Sequence, residues 1–120
     1  MSNPQSIERH GSSARMSSVV TYNGLAYLSG QVGGDGGDTI QAQTRAVLAK
    51  IDEHLESVGT SKERLLSAMI WLKDIDSDFA PMNAIWEEWV GADAKPARAT
   101  VEAKLARPSL LIEIQVTAAL

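Results

Sequence analysis

The sequence predicts an α+β fold in which one β-sheet carries two amphipathic helices on a single face. Two observations lead there. Residues 39–58 and 77–90 space their apolar side chains as helices do, whereas stretches near 17–32, 65–75, 97–105 and 110–119 are β-branched, aromatic or alternating. These segments run strand, strand, helix, strand, helix, strand, strand, and each helix has one apolar stripe with which to cover a sheet. At 120 residues, 44% apolar and 22% charged, the chain is expected to form one domain over 1–120.

The elements follow in order. In "SSVVTYNGLAYLSGQV", residues 17–32, two β-rich runs flank Asn23-Gly24, a strong hairpin signal. The glycines of "GGDGGD", residues 33–38, disfavour regular structure and lack the lysine of a phosphate loop. Asp38 stands three residues before Gln41 in the manner of a capping box, so a helix is expected from about Thr39. Its stripe is Ile40, Val47, Leu48, Ile51, Leu55 and Val58, and Gly59 ends it. "LLSAMIWLKDI", residues 65–75, is apolar on both faces, with Leu66, Ala68, Ile70 and Leu72 set against Met69 and Trp71. A second helix is expected from a cap at Ser77 or Asp78, with Pro81 in its first turn. Phe79, Met82, Ile85, Trp86, Trp89 and Val90 form its buried stripe, and Gly91 stops it. "ARPS" suits a turn between the last two strands.

Composition narrows the function. A net charge of −4 without clustered Lys or Arg disfavours nucleic acid as a partner. The absence of cysteine removes disulfides, thiol nucleophiles and cysteine-bound metals, and His10 and His54 lie far apart, so no metal is expected. The first residues, "MSNPQSI", are unlike a signal peptide and no stretch has the length of a membrane span, so a cytoplasmic protein without membrane contact is expected.

"AKPARATVEAKL", residues 94–105, sets Arg98 within an alternating run. Arg98, Thr100, Glu102 and Lys104 share one side of that strand, and Glu113, Gln115 and Thr117 share one side of the next. A tight antiparallel hairpin between the two strands is expected to bring both sets to one face, with Arg98 and Glu113 on a diagonal of roughly 7–8 Å, or on the order of 13 Å if the register slips by two residues. A guanidinium matches a carboxylate bidentately and a nearby carboxylate deprotonates water, so the pair suits a small carboxylic acid and its hydrolysis. Taken alone, the pair reads first as a cross-strand ion pair. Large apolar residues on the same face point to self-association.

"KPARATVEAKLARPSLLIEIQVTAAL", together with "YLSGQV" and "FAPMNAIWEEWV", resembles the Rid family of reactive intermediate deaminases, also called the YjgF-like family. The resemblance implies a chorismate-mutase-like α+β subunit of bacillus type, with a mixed β-sheet and two helices packed on one face. It further implies a homotrimer whose sheets face inward and whose sites lie between subunits. It implies hydrolysis of 2-imino and enamino acids to 2-keto acids and ammonia without metal or cofactor. On this chain it assigns Arg98 to the substrate carboxylate and Glu113 to the water, with Ser29, Gly30, Asn83, Thr100 and Met16 lining the cleft. Thr100 falls where many members carry cysteine, and Met16 where the best-known deaminases carry tyrosine. The alternative function is a trimer that binds small carboxylates without turnover. A chorismate-mutase-like isomerase rests on architecture alone and would be expected to supply more cationic anchors than this polar face offers.

Overall fold

A computed structural model describes residues 5–120. Its strands are β1 (Glu8–His10), β2 (Val19–Tyr22), β3 (Leu25–Leu28), β4 (Gln31–Val32), β5 (Leu65–Leu72), β6 (Ala97–Glu102) and β7 (Ile112–Ala119). The helices are α1 (Ile40–Ser57) and α2 (Ile75–Val90). All strands join one mixed sheet in the order β1-β2-β3-β7-β5-β6, with β4 also paired to β7. Both helices cover one face, as expected, and the core fills the layer between them and Val19, Ala26, Leu28, Ala68, Ile70, Leu72, Ile112, Ile114, Val116 and Ala118. Among the described residues no helix is long and apolar enough to cross a membrane.

The β2–β3 hairpin turns at Asn23 and Gly24, whose φ angles of 52° and 79° are those of a type I′ turn. From β3 into β4 the chain takes four steps, Tyr27 to Gln31, while its partner takes three, Thr117 to Ile114. The extra residue makes a bulge at Ser29-Gly30 that bends the strand.

α1 begins where expected, but its cap is Thr39 rather than Asp38. The Thr39 hydroxyl accepts the Ala42 N–H at 3.1 Å, because Thr39 is the residue in extended conformation immediately before the first helical turn. The α1 stripe is buried as expected from Ile40 to Leu55 and also contains Gln43 and Thr44, whereas Val58 caps the helix and is half-buried. Gln43 Nε2 donates to Gly37 O and Ser109 O, both at 2.9 Å, and its Oε1 accepts from Leu111 N at 2.8 Å. One amide thereby ties the glycine loop to the segment entering β7. Within that loop Gly34–Gly36 forms a short 3-10 turn, and Lys50 Nζ reaches Val32 O at 2.7 Å and Asp35 at 2.9 Å.

α2 starts earlier than the sequence suggests. Asp74 is the cap, its carboxylate accepting the Ser77 N–H at 3.3 Å, and Ile75 N donates to Glu102 Oε1 at 3.2 Å. Asp74 lies directly after the buried strand β5, so it receives the chain at the turn before Ser77 or Asp78 can. Pro81 therefore sits inside the helix rather than in its first turn. The N–H it lacks would have met the carbonyl of Ser77, an exposed residue whose surroundings leave that carbonyl within reach of solvent. Met82, Ile85, Trp86 and Val90 are buried, whereas Trp89 is half-buried and Phe79 is exposed.

The expected hairpin between the last two strands does not form. β6 lies parallel to β5, pairing Arg98 with Ala68 and Thr100 with Ile70, and β7 takes the other side of β5 antiparallel, pairing Glu113 with Trp71. The β5–α2–β6 crossover delivers β6 beside β5 in the same direction. The segment 103–111 then carries the chain past β5, held by Ala103 N donating to Leu72 O and Lys73 N donating to Leu111 O. A register shift between Leu65 and Ser67 also takes Leu66 out of the alternation expected for β5, leaving it exposed.

Replacing Gln43 with Ala strands two carbonyls and one N–H in a buried position. The expected cost is about 3 kcal/mol of unfolding free energy, read as a lowered midpoint in chemical denaturation.

Candidate functional site

The sheet register separates the residues that the sequence brings together. Arg98 and Thr100 pair with Ala68 and Ile70, which face the helices. Glu113 pairs with Trp71 and shares the opposite, helix-free face with Met69 and Gln115. Arg98 and Glu113 thus lie on opposite faces, with β5 between their strands, about 10 Å apart across the sheet and about 10 Å along it at the backbone. No cross-strand ion pair links them, and the expected diagonal contact is replaced by two separate clusters.

The first cluster lies under α2 at the sheet edge. β6 is the outermost strand there, so Arg98 is at the rim of the molecule. Asn83, Trp86 and Glu87 of α2 join Lys95 and Arg98 around a groove of about 600 Å³ that continues past Gly91. The Arg98 guanidinium lies 5.4 Å from the Trp86 ring centre and 6.0 Å from that of Phe79. Burial lowers the Arg98 pKa from its ordinary value, and the charge of Glu87 opposes the shift. Among the described residues the Arg98 guanidinium makes no hydrogen bond and no ion pair. Asn83 Oδ1 and Thr100 Oγ1, from the two elements that flank Arg98, are buried without a hydrogen-bond partner. A half-buried cation with its donors free, beside two unmet polar oxygens, is suited to receive an anion that carries a polar group next to its charge.

The second cluster lies on the other side of the sheet. Glu113 pairs with Val32 just beyond the Ser29-Gly30 bulge. Gly30 packs so closely on the Glu113 carboxylate that a Cβ there would overlap Oε2. The Ser29 hydroxyl donates to Ser17 O, which closes the loop carrying Met16 against the bulge. Met16 itself is 57% exposed. Around these residues the helix-free face presents Tyr27 and Val101 exposed and Met69 and Trp71 half-buried.

Of the seven residues that the sequence proposes for the site, Arg98, Thr100 and Asn83 share one cluster, and Glu113, Gly30, Ser29 and Met16 belong to the other. Trp86 and Phe79 read as ordinary core residues by helical spacing, yet their rings bracket Arg98. Glu87 carries no signal beyond its place four residues after Asn83, one helical turn on.

The architecture defines the chain as a small α+β subunit whose polar groups are divided between the two faces of one sheet. The family model described as Endoribonuclease L-PSP matches residues 6–120. A RutC family protein of Haemophilus influenzae is 44% identical over 116 residues, covering 93% of this chain and 97% of its own. The Escherichia coli RutC family protein YoaB is 41% identical over 113 residues, covering 94% and 97%. Among solved structures, a YjgF family member from Neisseria meningitidis superposes with a TM-score of 0.93 at 44% identity, covering 98% of this chain and 97% of that one. YyfA of Yersinia pestis, of the conserved Rid protein family, reaches 0.84 at 30% identity, covering 91% and 90%. The chain belongs to this endoribonuclease L-PSP family of YjgF, Rid and RutC proteins.

Replacing Gly30 with Ala pushes the Glu113 carboxylate aside. The carboxylate is the mobile end of its side chain, so the fold should survive at a cost of about 1 kcal/mol, and a crystal structure of the variant should show Glu113 rotated off the bulge.

Proposed function

We propose that the protein hydrolyses 2-imino and enamino acids to 2-keto acids and ammonia in clefts between copies of this chain. The single observation that carries the reading is the Arg98 guanidinium, half-buried at the subunit rim with its donors unused. Arg98 of one copy holds the substrate carboxylate, and Glu113 of another copy, facing away from its own Arg98, meets the substrate from the far side. The division of the two residues between opposite faces favours a site shared by subunits, since one chain cannot close both around a small molecule. The exposed Tyr27 and Val101 and the half-buried Met69 and Trp71 supply an apolar surface for a homotrimer with inward-facing sheets.

In the reaction, Arg98 binds the carboxylate bidentately and sets the adjacent imine carbon in place. Glu113 accepts a proton from water as its oxygen bonds to that carbon, giving a tetrahedral aminoalcohol. The proton passes to nitrogen, the C–N bond breaks, the hydroxyl proton is lost, and the 2-keto acid and ammonia leave. No covalent nucleophile or cofactor enters, and catalysis draws on proximity and orientation. Gly30 packs on the Glu113 carboxylate and Ser29 lines the cleft beside it, and Asn83 and Thr100 offer oxygens to the imine nitrogen or the water. Met16 gives the mouth an apolar rim. The expected setting is the cytoplasm, where amino-acid breakdown generates such imines. We do not extend the endoribonuclease of the family description to this chain, because its net charge is −4 and no basic cluster stands ready for a phosphate backbone.

The direct test generates 2-iminobutyrate with an amino-acid oxidase and follows its capture by semicarbazide. The wild-type protein should divert imine from the trap, and Arg98→Ala should lose about 100-fold in kcat/KM while remaining folded. Carboxylate binding without turnover would instead support a non-catalytic trimer. Assembly is tested by sedimentation equilibrium: the wild type should be trimeric and Trp71→Asp monomeric, and a monomeric wild type would refute the shared cleft.

A further inference from the structure

We infer that Trp86 and Phe79 are positioning residues that hold the Arg98 guanidinium open for an anion. The inference deepens the carboxylate-binding reading above and extends it to residues whose helical spacing marks them only as core. An arginine near a carboxylate ordinarily closes onto it as a fork, and a ligand must then displace that partner. Here Glu87 lines the same groove, yet no ion pair joins it to Arg98. The guanidinium instead lies against ring faces, 5.4 Å from the centre of Trp86 and 6.0 Å from that of Phe79. A π-face attracts the cation while leaving its in-plane N–H donors unused, and those donors are what a carboxylate needs.

The two rings are anchored differently. Trp86 is only 6% exposed and sits in the core layer, with Trp89 5.4 Å away as a tilted neighbour. Trp89 is in turn fixed by its Nε1 donating to Asp52 of α1 at 3.0 Å. Phe79 is 41% exposed and caps the guanidinium at the surface. Their spacing of seven residues, two helical turns, puts both on the side of α2 that meets β6. If the rings are lost, the side chain is free to swing toward Glu87 and pair with it, and the anchor is then occupied by a group from its own subunit.

The test is binding of 2-oxobutyrate, the keto acid product, by titration calorimetry, so that it does not depend on turnover. Trp86→Leu, which fills space without a π-face, should weaken binding about three- to tenfold, and Trp86→Phe should recover most of the loss. In an Arg98→Ala background the same Trp86→Leu change should have no further effect. Equal affinity for folded Trp86→Leu and wild type, or an equal loss with Arg98 already removed, overturns the inference. If Trp86→Leu does not fold, Phe79→Leu takes its place, since that side chain lies largely outside the core, and the same outcomes decide. Wild-type binding without imine turnover would reject the deaminase reading and leave this inference standing, whereas no 2-oxobutyrate binding by the wild type would reject both.

Discussion

The position of β5, parallel to one neighbour and antiparallel to the other, is the constraint on which the rest of the structure depends. A parallel partner requires a crossover, and the crossover here is α2. α2 therefore lies beside the strand it delivers, which places Asn83, Trp86 and Glu87 along the same groove as Arg98. The antiparallel partner β7 occupies the remaining side of β5, with its even-numbered residues in the core and Glu113 turned outward. Had β6 and β7 paired with each other, Arg98 and Glu113 could have met within one chain. With β5 between them and the registers as they are, they cannot.

A second constraint acts on the loops. Gln43 is buried, yet its side-chain hydrogen bonds are all made to backbone, one to Gly37 just upstream and two to Ser109 and Leu111 far along the chain, so its amide serves as a pin between the start of α1 and the approach to β7. That approach determines where Ile112 enters the sheet and hence where Glu113 stands against the Ser29-Gly30 bulge. The bulge matters because it brings the backbone at position 30 so close to the Glu113 carboxylate that only glycine leaves that carboxylate where it stands.

Local features were the more legible in the sequence. Asn23-Gly24 specifies its own turn, and the stripes of α1 and α2 mark their buried sides because period and chemistry agree within a few residues. The cap of α1 is displaced by one residue because Asp38 and Thr39 are both competent caps, and only the backbone conformation separates them. Gln43 lay three residues after Ile40 and four before Val47, so its burial was implicit in the spacing, although its polarity pointed the other way. What the sequence could not carry was strand partnership. Alternation in 97–105 and 112–119 states which residues share a side, but not which strand lies alongside or which side is up, since those depend on a nonlocal pairing. The sequence could accordingly propose the residues of the candidate site, while their division into two clusters came only from the sheet.

That division has an energetic side. Asn83 Oδ1 and Thr100 Oγ1 are buried without partners, and Arg98 is partly desolvated without a counterion. Each unmet buried polar group costs about 1–3 kcal/mol, against a total stability of about 5–15 kcal/mol for a domain. A helix and an edge strand selected for stability alone would fill these positions with apolar residues or close Arg98 onto Glu87. Among the described residues two of the three unpartnered buried side-chain oxygens, Asn83 Oδ1 and Thr100 Oγ1, lie beside Arg98 beneath α2 at the sheet rim, the third being Thr44 Oγ1 on α1, while Gln43 is hydrogen-bonded and the core is continuous elsewhere. Such a grouping beside an open groove suits a surface prepared for something outside the chain, because a ligand or a second copy can supply the partners that Arg98, Asn83 and Thr100 lack.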